Sequence, residues 1–256
     1  MTTALAPTKN NAPLKTLFAT ETRLFFREPA TLIWGFALPV SAFVILAVVP
    51  GTSRPTDDLG GLSYAQVYLG IIALISLAMV GSMSLPQVLG TYRERGILRR
   101  LSVTPMRPWR LLATQIGIHL AINLGTVLTL LLVATLTFDG GFPGSVLGWL
   151  VTMLLSSAAM LGLASLISAL APSAKIANAI ATGLFFPLMF FAGLWLPQQV
   201  MPHWLATVSH YTPLGAASQA LTSSVADHFP PTTSLVVLAA YAVVFIGAAV
   251  RTFRWA

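Results

Sequence analysis

Six stretches of this 256-residue chain contain no charged side chain: 29–53, 59–92, 111–138, 140–174, 176–226 and 228–250. Each can hold about 20 consecutive residues in a helix, the length that crosses a hydrocarbon core of about 30 Å. A large soluble core is the competing explanation, but it would not need six uncharged runs. Composition favours lipid: 8% of residues are charged and 56% hydrophobic, whereas a soluble domain has roughly 25% charged. The chain therefore reads as an all-α integral membrane protein, a single transmembrane domain over 1–256.

Spans are expected near 31–49, 64–88, 111–136, 145–170, 176–196 and 233–250. The fifth run is too long for one crossing. Pro197, Pro202 and Pro213, with Gln198, Gln199, His203 and His210, interrupt it after about residue 196. The remainder, 197–228, is either a seventh crossing or an irregular, partly re-entrant excursion of the kind tolerated only when buried in protein or lining water. Charge decides between them. With six crossings and both termini cytosolic, 13 of the 14 basic residues face the cytosol and only Arg54 lies outside. Asp57, Asp58, Asp139 and Asp227 then fall on the outer side. Short cytosolic loops carry this bias, and a seventh crossing would put Arg251 and Arg254 on the wrong face. Trp34, Trp109, Trp149, Trp195, Trp204 and Trp255 all fall at or near span ends, where an indole prefers the interface.

The net charge of +7 is accounted for by this topology and does not indicate a nucleic-acid partner; basic loops also attract anionic lipid. No cleavable signal peptide is expected, because residues 1–13 are polar and contain proline. The absence of cysteine excludes disulfides, thiolate metal sites and cysteine nucleophiles.

Residues 91–110 hold seven of the chain's 21 charged residues. They lie in the expected cytosolic loop between the second and third spans. Residues 93–101 fit a short helix stopped by Thr104-Pro105 and again by Pro108. Ile97, Leu98 and Leu101 give that helix an apolar edge, with Arg95, Arg99 and Arg100 around it. A topology signal would need only the positive charges. The apolar edge, Glu94 and the prolines suit a docked partner.

The run Tyr92-Arg93-Glu94-Arg95-Gly96-Ile97-Leu98-Arg99-Arg100-Leu101-Ser102-Val103-Thr104-Pro105, followed by Arg110-Leu111-Leu112, resembles the permeases of the ABC-2 family of ATP-binding-cassette transporters. Their pattern here is E-R-x-x-G-T-L-x-x-L-x-x-T-P and then a basic residue; the Glu-to-Gly spacing is shorter in this chain. Phe191-Ala192-Gly193-Leu194-Trp195-Leu196-Pro197, Met201-Pro202-x-Trp204-Leu205 and Thr212-Pro213-Leu214 resemble the family's run after the fifth span. The resemblance implies a coupling helix near 92–102. Through Arg93, Glu94, Arg95, Gly96, Ile97, Leu98, Arg99, Arg100 and Leu101 it would dock on a separate cytosolic ATPase, two of which would serve a homo- or heterodimer of permeases. It also implies short extracellular helices between spans five and six, and an interfacial amphipathic helix before span one. Residues 14–28 fit the latter partly: Leu14, Leu17, Phe18, Leu24 and Phe25 share a face with Glu21 and Glu28. That acidic edge faces either protein or solvent.

The chain itself lacks the machinery for ATP hydrolysis. A phosphate-binding loop needs Gly-Lys, and no such pair exists around Lys9, Lys15 or Lys175. No cofactor is expected on this chain; ATP and magnesium would be used by the partner. Ion coupling usually needs ionisable residues within the membrane, and the expected spans carry no Asp, Glu, Lys or Arg. An intramembrane hydrolase is disfavoured too. Gly61-Leu62-Ser63 has the shape of a nucleophile motif, but Ser63 lies in an outer loop and His119 near the other end of span three.

The span interiors offer two candidate groups. Gln115, His119 and Asn123 recur at i, i+4 and i+8, so they stack on one face of span three; they are either interhelical glue or the lining of a substrate path. Phe185 and Phe186, with Phe190 and Phe191, cluster beside Pro187 and either line an apolar path or face lipid. Pro39 and Pro187 are expected to kink spans one and five. Ala158, Gly162, Ser165 and Ala169 give span four a small-residue face for close helix contact. The expected protein is a permease of a bacterial plasma-membrane exporter for an amphipathic or hydrophobic, drug- or antibiotic-like small molecule. The alternative cargo is a lipid-linked polysaccharide or lipid.

Overall fold

The computed structural model describes residues 22–23, 32–97, 108–137 and 143–252, which form helices joined by loops, with no strand among them. Leu98, Arg99, Arg100 and Leu101 lie outside the described residues, as does all of the expected amphipathic segment 14–28 except Thr22 and Arg23. A π-helical turn, Ile33–Ala37, leads into α1 (Leu38–Val48). Next, α2 (Tyr64–Ala78), a second π turn (Met79–Ser84) and α3 (Leu85–Glu94) make one continuous helix of 31 residues. Helices α4 (Pro108–Thr137), α5 (Val146–Leu170) and α6 (Ala174–Ala192) follow. Two shorter helices, α7 (His203–His210) and α8 (Pro213–Val225), precede α9 (Thr232–Thr252). Among the described residues five helices are long and apolar enough to cross a membrane, and Ile33–Val48 is a shorter apolar one. The chain is a multi-pass membrane protein.

The middle of the fold is α2, where every residue from 69 to 78 is buried. A helix apolar on all sides stays ordered only when enclosed, and α2 is enclosed by α1, α4, α6 and α8. Its start is fixed locally. Ser63 Oγ accepts from Gln66 N at 3.2 Å, and Gln66 Oε1 accepts from Ser63 N at 2.9 Å, a reciprocal cap that satisfies two donors. The serine of the nucleophile-like motif is thus a helix cap. Outer helices instead show aliphatic ridges: Leu124, Leu128 and Leu132 on α4, and Val236, Val243 and Val250 on α9, are exposed. Apolar ridges at this spacing on a span suit hydrocarbon. The small-residue face of α5 meets α9, with Gly162 set against Phe245 and Ile246.

Several boundaries differ from the sequence expectation. The second span continues to Glu94, so Arg93 and Glu94 close its last turn and do not open a separate helix over 93–101. The cause is Gly96: its φ of 64° is left-handed, and Gly96 N donates to Arg93 O at 3.0 Å. Such a turn ends a helix, and glycine adopts it at least cost. Pro108 starts α4, since a proline at the first helical position loses no intrahelical bond. Helix α6 stops at Ala192, four residues short of the expected end, because Gly193 turns left-handed at φ 95°.

The excursion 197–228 is two helices and not a crossing. At 13 residues, α8 rises about 20 Å, at about 1.5 Å per residue, short of a hydrocarbon core. It is nonetheless mostly buried, packed among α2, α5, α6 and α9. Its side of the bundle also holds the 50–63 loop: Gly70 of α2 lies against Leu221, and Ser145 N donates to Ser224 O at 2.9 Å. Asp57, Asp58 and Asp227 therefore share one end of the molecule. Arg93, Glu94 and Lys175 share the other.

Candidate functional site

At the arginine end, Arg93 and Glu94 grip the turn that joins α5 to α6. The Arg93 guanidinium donates to Ser168 O at 3.2 Å and to Ala171 O. Both are carbonyls at the C-terminus of α5, where a helix leaves acceptors unpaired and favours a cation. Glu94 Oε1 accepts from Ala174 N at 2.8 Å, at the N-terminus of α6, where donors are unpaired and an anion is favoured. Ser173 Oγ caps the same terminus by accepting from Ile176 N at 3.3 Å. The close approach depends on Gly90, where a Cβ would stand 2.5 Å from Ala174 Cα. Two adjacent, opposite charges thus each meet the helix terminus of complementary sign. Arg95 is exposed, Gly96 and Ile97 are half-buried, and Ile97 is again helical after the turn at Arg95-Gly96.

The polar stripe of α4 lies inside the bundle. Gln115, His119 and Asn123 are all at most 3% exposed. His119 Nδ1 lies 2.7 Å from Gln115 O and can bond it only as a donor; in the neutral ring Nε2 then accepts from Ser84 Oγ at 3.1 Å. Ser84 belongs to the second π turn, so the histidine joins span three to span two. The amide nitrogen of Asn123 is buried without a partner among the described residues.

A second polar junction has a covalent origin. In an α-helix the N–H of residue 39 would bond the carbonyl of Gly35, but Pro39 has no N–H. The preceding turn widens instead, with Leu38 N donating to Ile33 O. The Gly35 carbonyl accepts from Ser76 Oγ at 2.6 Å, and Thr126 Oγ1 lies 3.3 Å from it with its one hydrogen shared with Ile122 O at 3.0 Å, so spans one, two and three meet here. Gly35 also abuts the second π turn, where a Cβ would overlap Val80 Cγ2. Pro86, just beyond that turn, denies Ser82 O its partner in the same way. The sequence reading anticipated a kink at Pro39, but not the hydroxyls that answer it; a proline four residues after a glycine was the available signal.

Beside these junctions lies a cavity of about 590 Å³ between the first π turn and α4, lined by Ile33, Phe36, Ala37, Ile118, Ile122 and Gly125 among others. None of the candidate path residues lines it; the neighbouring face of α4 does. These residues were not identified from sequence, because their types are those of any lipid-facing helix. Phe185 is buried and Phe186 exposed, meeting edge to face at 5.7 Å, and Phe186 stacks on Trp195 at 6.3 Å. They sit on α6, with partners of their own.

A third assembly holds α7 and α8 in place. Gln198 Nε2 lies 2.6 Å from Ser209 Oγ and 2.9 Å from Gly215 O, one for each of its two hydrogens, and 3.0 Å from Phe191 O, which accepts from Ser209 Oγ at 2.6 Å. One side chain fastens the end of α6 to both short helices.

No curated protein matches this chain significantly. The family model described as ABC-2 type transporter matches residues 13–225, most of the chain, including both motif runs and the whole bundle up to α8. The chain belongs to the ABC-2 type transporter family, and is a membrane permease subunit of an ABC transporter.

Proposed function

We propose that this permease exports an amphipathic or hydrophobic small molecule across a bacterial plasma membrane, driven by two cytosolic ATPase subunits that dock on a dimer of the chain. The observation that carries the cargo class is the cavity beside α4. Its volume of about 590 Å³ lies within the range of small-molecule sites, about 300–1,000 Å³, which are lined mainly by apolar side chains. Its lining, which Thr22 completes, has no charged side chain to select an ion, and an intramembrane ionisable group is what ion transport ordinarily uses. The end bearing Arg93 and Lys175 is cytosolic, supported by the positive-inside bias. The loop that follows Glu94 is the ATPase contact, and the buried His119 cluster packs helices together.

Co-expression with candidate ABC ATPase subunits, reconstitution in liposomes and measurement of a fluorescent amphipathic dye test this reading. ATP-dependent movement of the dye, slowed when Ile122→Trp fills the cavity, is the expected outcome. ATP hydrolysis stimulated by a polyprenyl-linked sugar and indifferent to dyes would replace the cargo with a lipid-linked polysaccharide. Failure to recruit any ATPase would overturn the proposal.

A further inference from the structure

The geometry points to Arg93, Glu94 and Gly90 as the linkage through which the ATPase-facing loop moves helix α6. Resting on the function proposed above, this assigns to two residues in the last turn of α3 a task directed inward, toward their own chain. Both charges are engaged within the chain itself. A side chain used only to grip a partner would be free on the permease, but Glu94 Oε1 is 2.8 Å from Ala174 N and the Arg93 guanidinium is 3.2 Å from Ser168 O. Both targets are ends of helices, so a displacement of residues 93–94 acts on whole rods and not on a pliable loop. The turn they hold, between Leu170 and Ala174, is too short to absorb such a displacement.

The contact is also stiff. Helix α3 continues α2 as one helix of 31 residues, and Gly90 brings its backbone against Ala174 with no space for a methyl group. Farther along, α6 carries Phe185, Phe186 and Pro187, and its C-terminal end is fastened to α7 and α8 by Gln198. A push at Glu94 therefore enters α6 at its first residue and reaches the opposite end of the bundle through one helix. Arg93 makes the grip two-sided: it holds the end of α5 while Glu94 holds the start of α6, so the two helices are carried together.

The chain has no cysteine, so Lys175→Cys and Arg251→Cys can carry a spin-label pair, diluted with unlabelled chain. The complex is purified through its ATPase subunit, and the label distance is read without nucleotide and after trapping with ATP and vanadate. The expected result is a nucleotide-dependent distance change that is lost in Glu94→Ala, in Arg93→Met and in Gly90→Ala, and kept in Glu94→Gln, whose amide oxygen still caps α6. Gly90→Ala alters no side chain of the loop, so its loss of response separates linkage from docking. Thermal midpoints are recorded for all variants. Lower midpoints with an intact distance change would make the grip merely structural and overturn the inference. An unmodified complex that keeps its ATPase and shows no distance change would overturn it too, leaving the proposed function standing. If no ATPase is captured, the proposed function falls and the linkage with it.

Discussion

The sharpest chemistry in this chain arises at single residues where a missing donor must be answered. Pro39 removes the N–H that would have bonded Gly35 O, and the Ser76 hydroxyl takes its place, with the Thr126 hydroxyl shared between Gly35 O and Ile122 O. Interhelical hydrogen bonds of this kind contribute about 0.6 kcal/mol on average and up to about 1.7 kcal/mol. Ser76→Ala should therefore lower unfolding stability in detergent by about 1 kcal/mol. Its cost should shrink in a Pro39→Ala background, which restores a backbone donor; additive losses in that double-mutant cycle would show that the hydroxyls do not answer the proline. A parallel expectation holds for His119, which ties α4 to the second π turn through Ser84. His119→Leu should reduce the thermal midpoint by a similar energy. An unchanged midpoint with an altered substrate response of ATP hydrolysis would return the stripe to the substrate path. That Gln115, His119 and Asn123 share one face followed from their spacing alone. What the face meets did not, because period 3.6 fixes the neighbours on one helix and says nothing about the helix opposite.

Among the elements, those with strong local signals were legible and those defined by long-range contact were not. The spans could be placed from charge-free runs because lipid penalises every charge, independent of fold. Helix ends were misjudged where a glycine decided them: Gly96 and Gly193 stop α3 and α6 by turning left-handed. The π turns escaped because a wide turn leaves no mark in hydrophobic pattern. Short helices α7 and α8 were expected, and a re-entrant excursion buried in protein was one reading of 197–228, but which residues of α8 are buried was not legible, since Ala216, Ala217 and Ala220 look the same on a surface as in a core. Their placement depends on Gln198, a part-buried amide whose nitrogen reaches Ser209 Oγ and Gly215 O, while Ser209 Oγ reaches Phe191 O. Removing it strands polar groups, at about 1–3 kcal/mol for a buried unsatisfied group. Gln198→Leu should increase hydrogen exchange across 198–225 while leaving α4 and α5 protected; equal exchange in all helices would mean that the amide supports the whole bundle and not this unit.

For the whole molecule, the segregation of charge connects fold to direction. Contacts within the chain put Asp57, Asp58 and Asp227 at one end and Arg93, Glu94 and Lys175 at the other. Crossing a bilayer makes this a polar object, and the general retention of basic loops on the cytosolic side supports the orientation proposed above. The proposed ATP-driven reaction depends on that orientation, because the nucleotide and the loop after Glu94 must share a compartment. Without native cysteine, each end can be tagged singly. Asp58→Cys and His228→Cys, both exposed in loops of the first end, should react with a membrane-impermeant maleimide on intact cells. Lys175→Cys, exposed beside the Glu94 grip, should react only after permeabilisation. The comparison constrains more than sidedness: Asp58 and His228 are separated by four of the expected spans, so their labelling from one side requires an even number of crossings between them. Labelling of Lys175→Cys in intact cells would invert the molecule and place the arginine-rich loop where no ATPase could reach it.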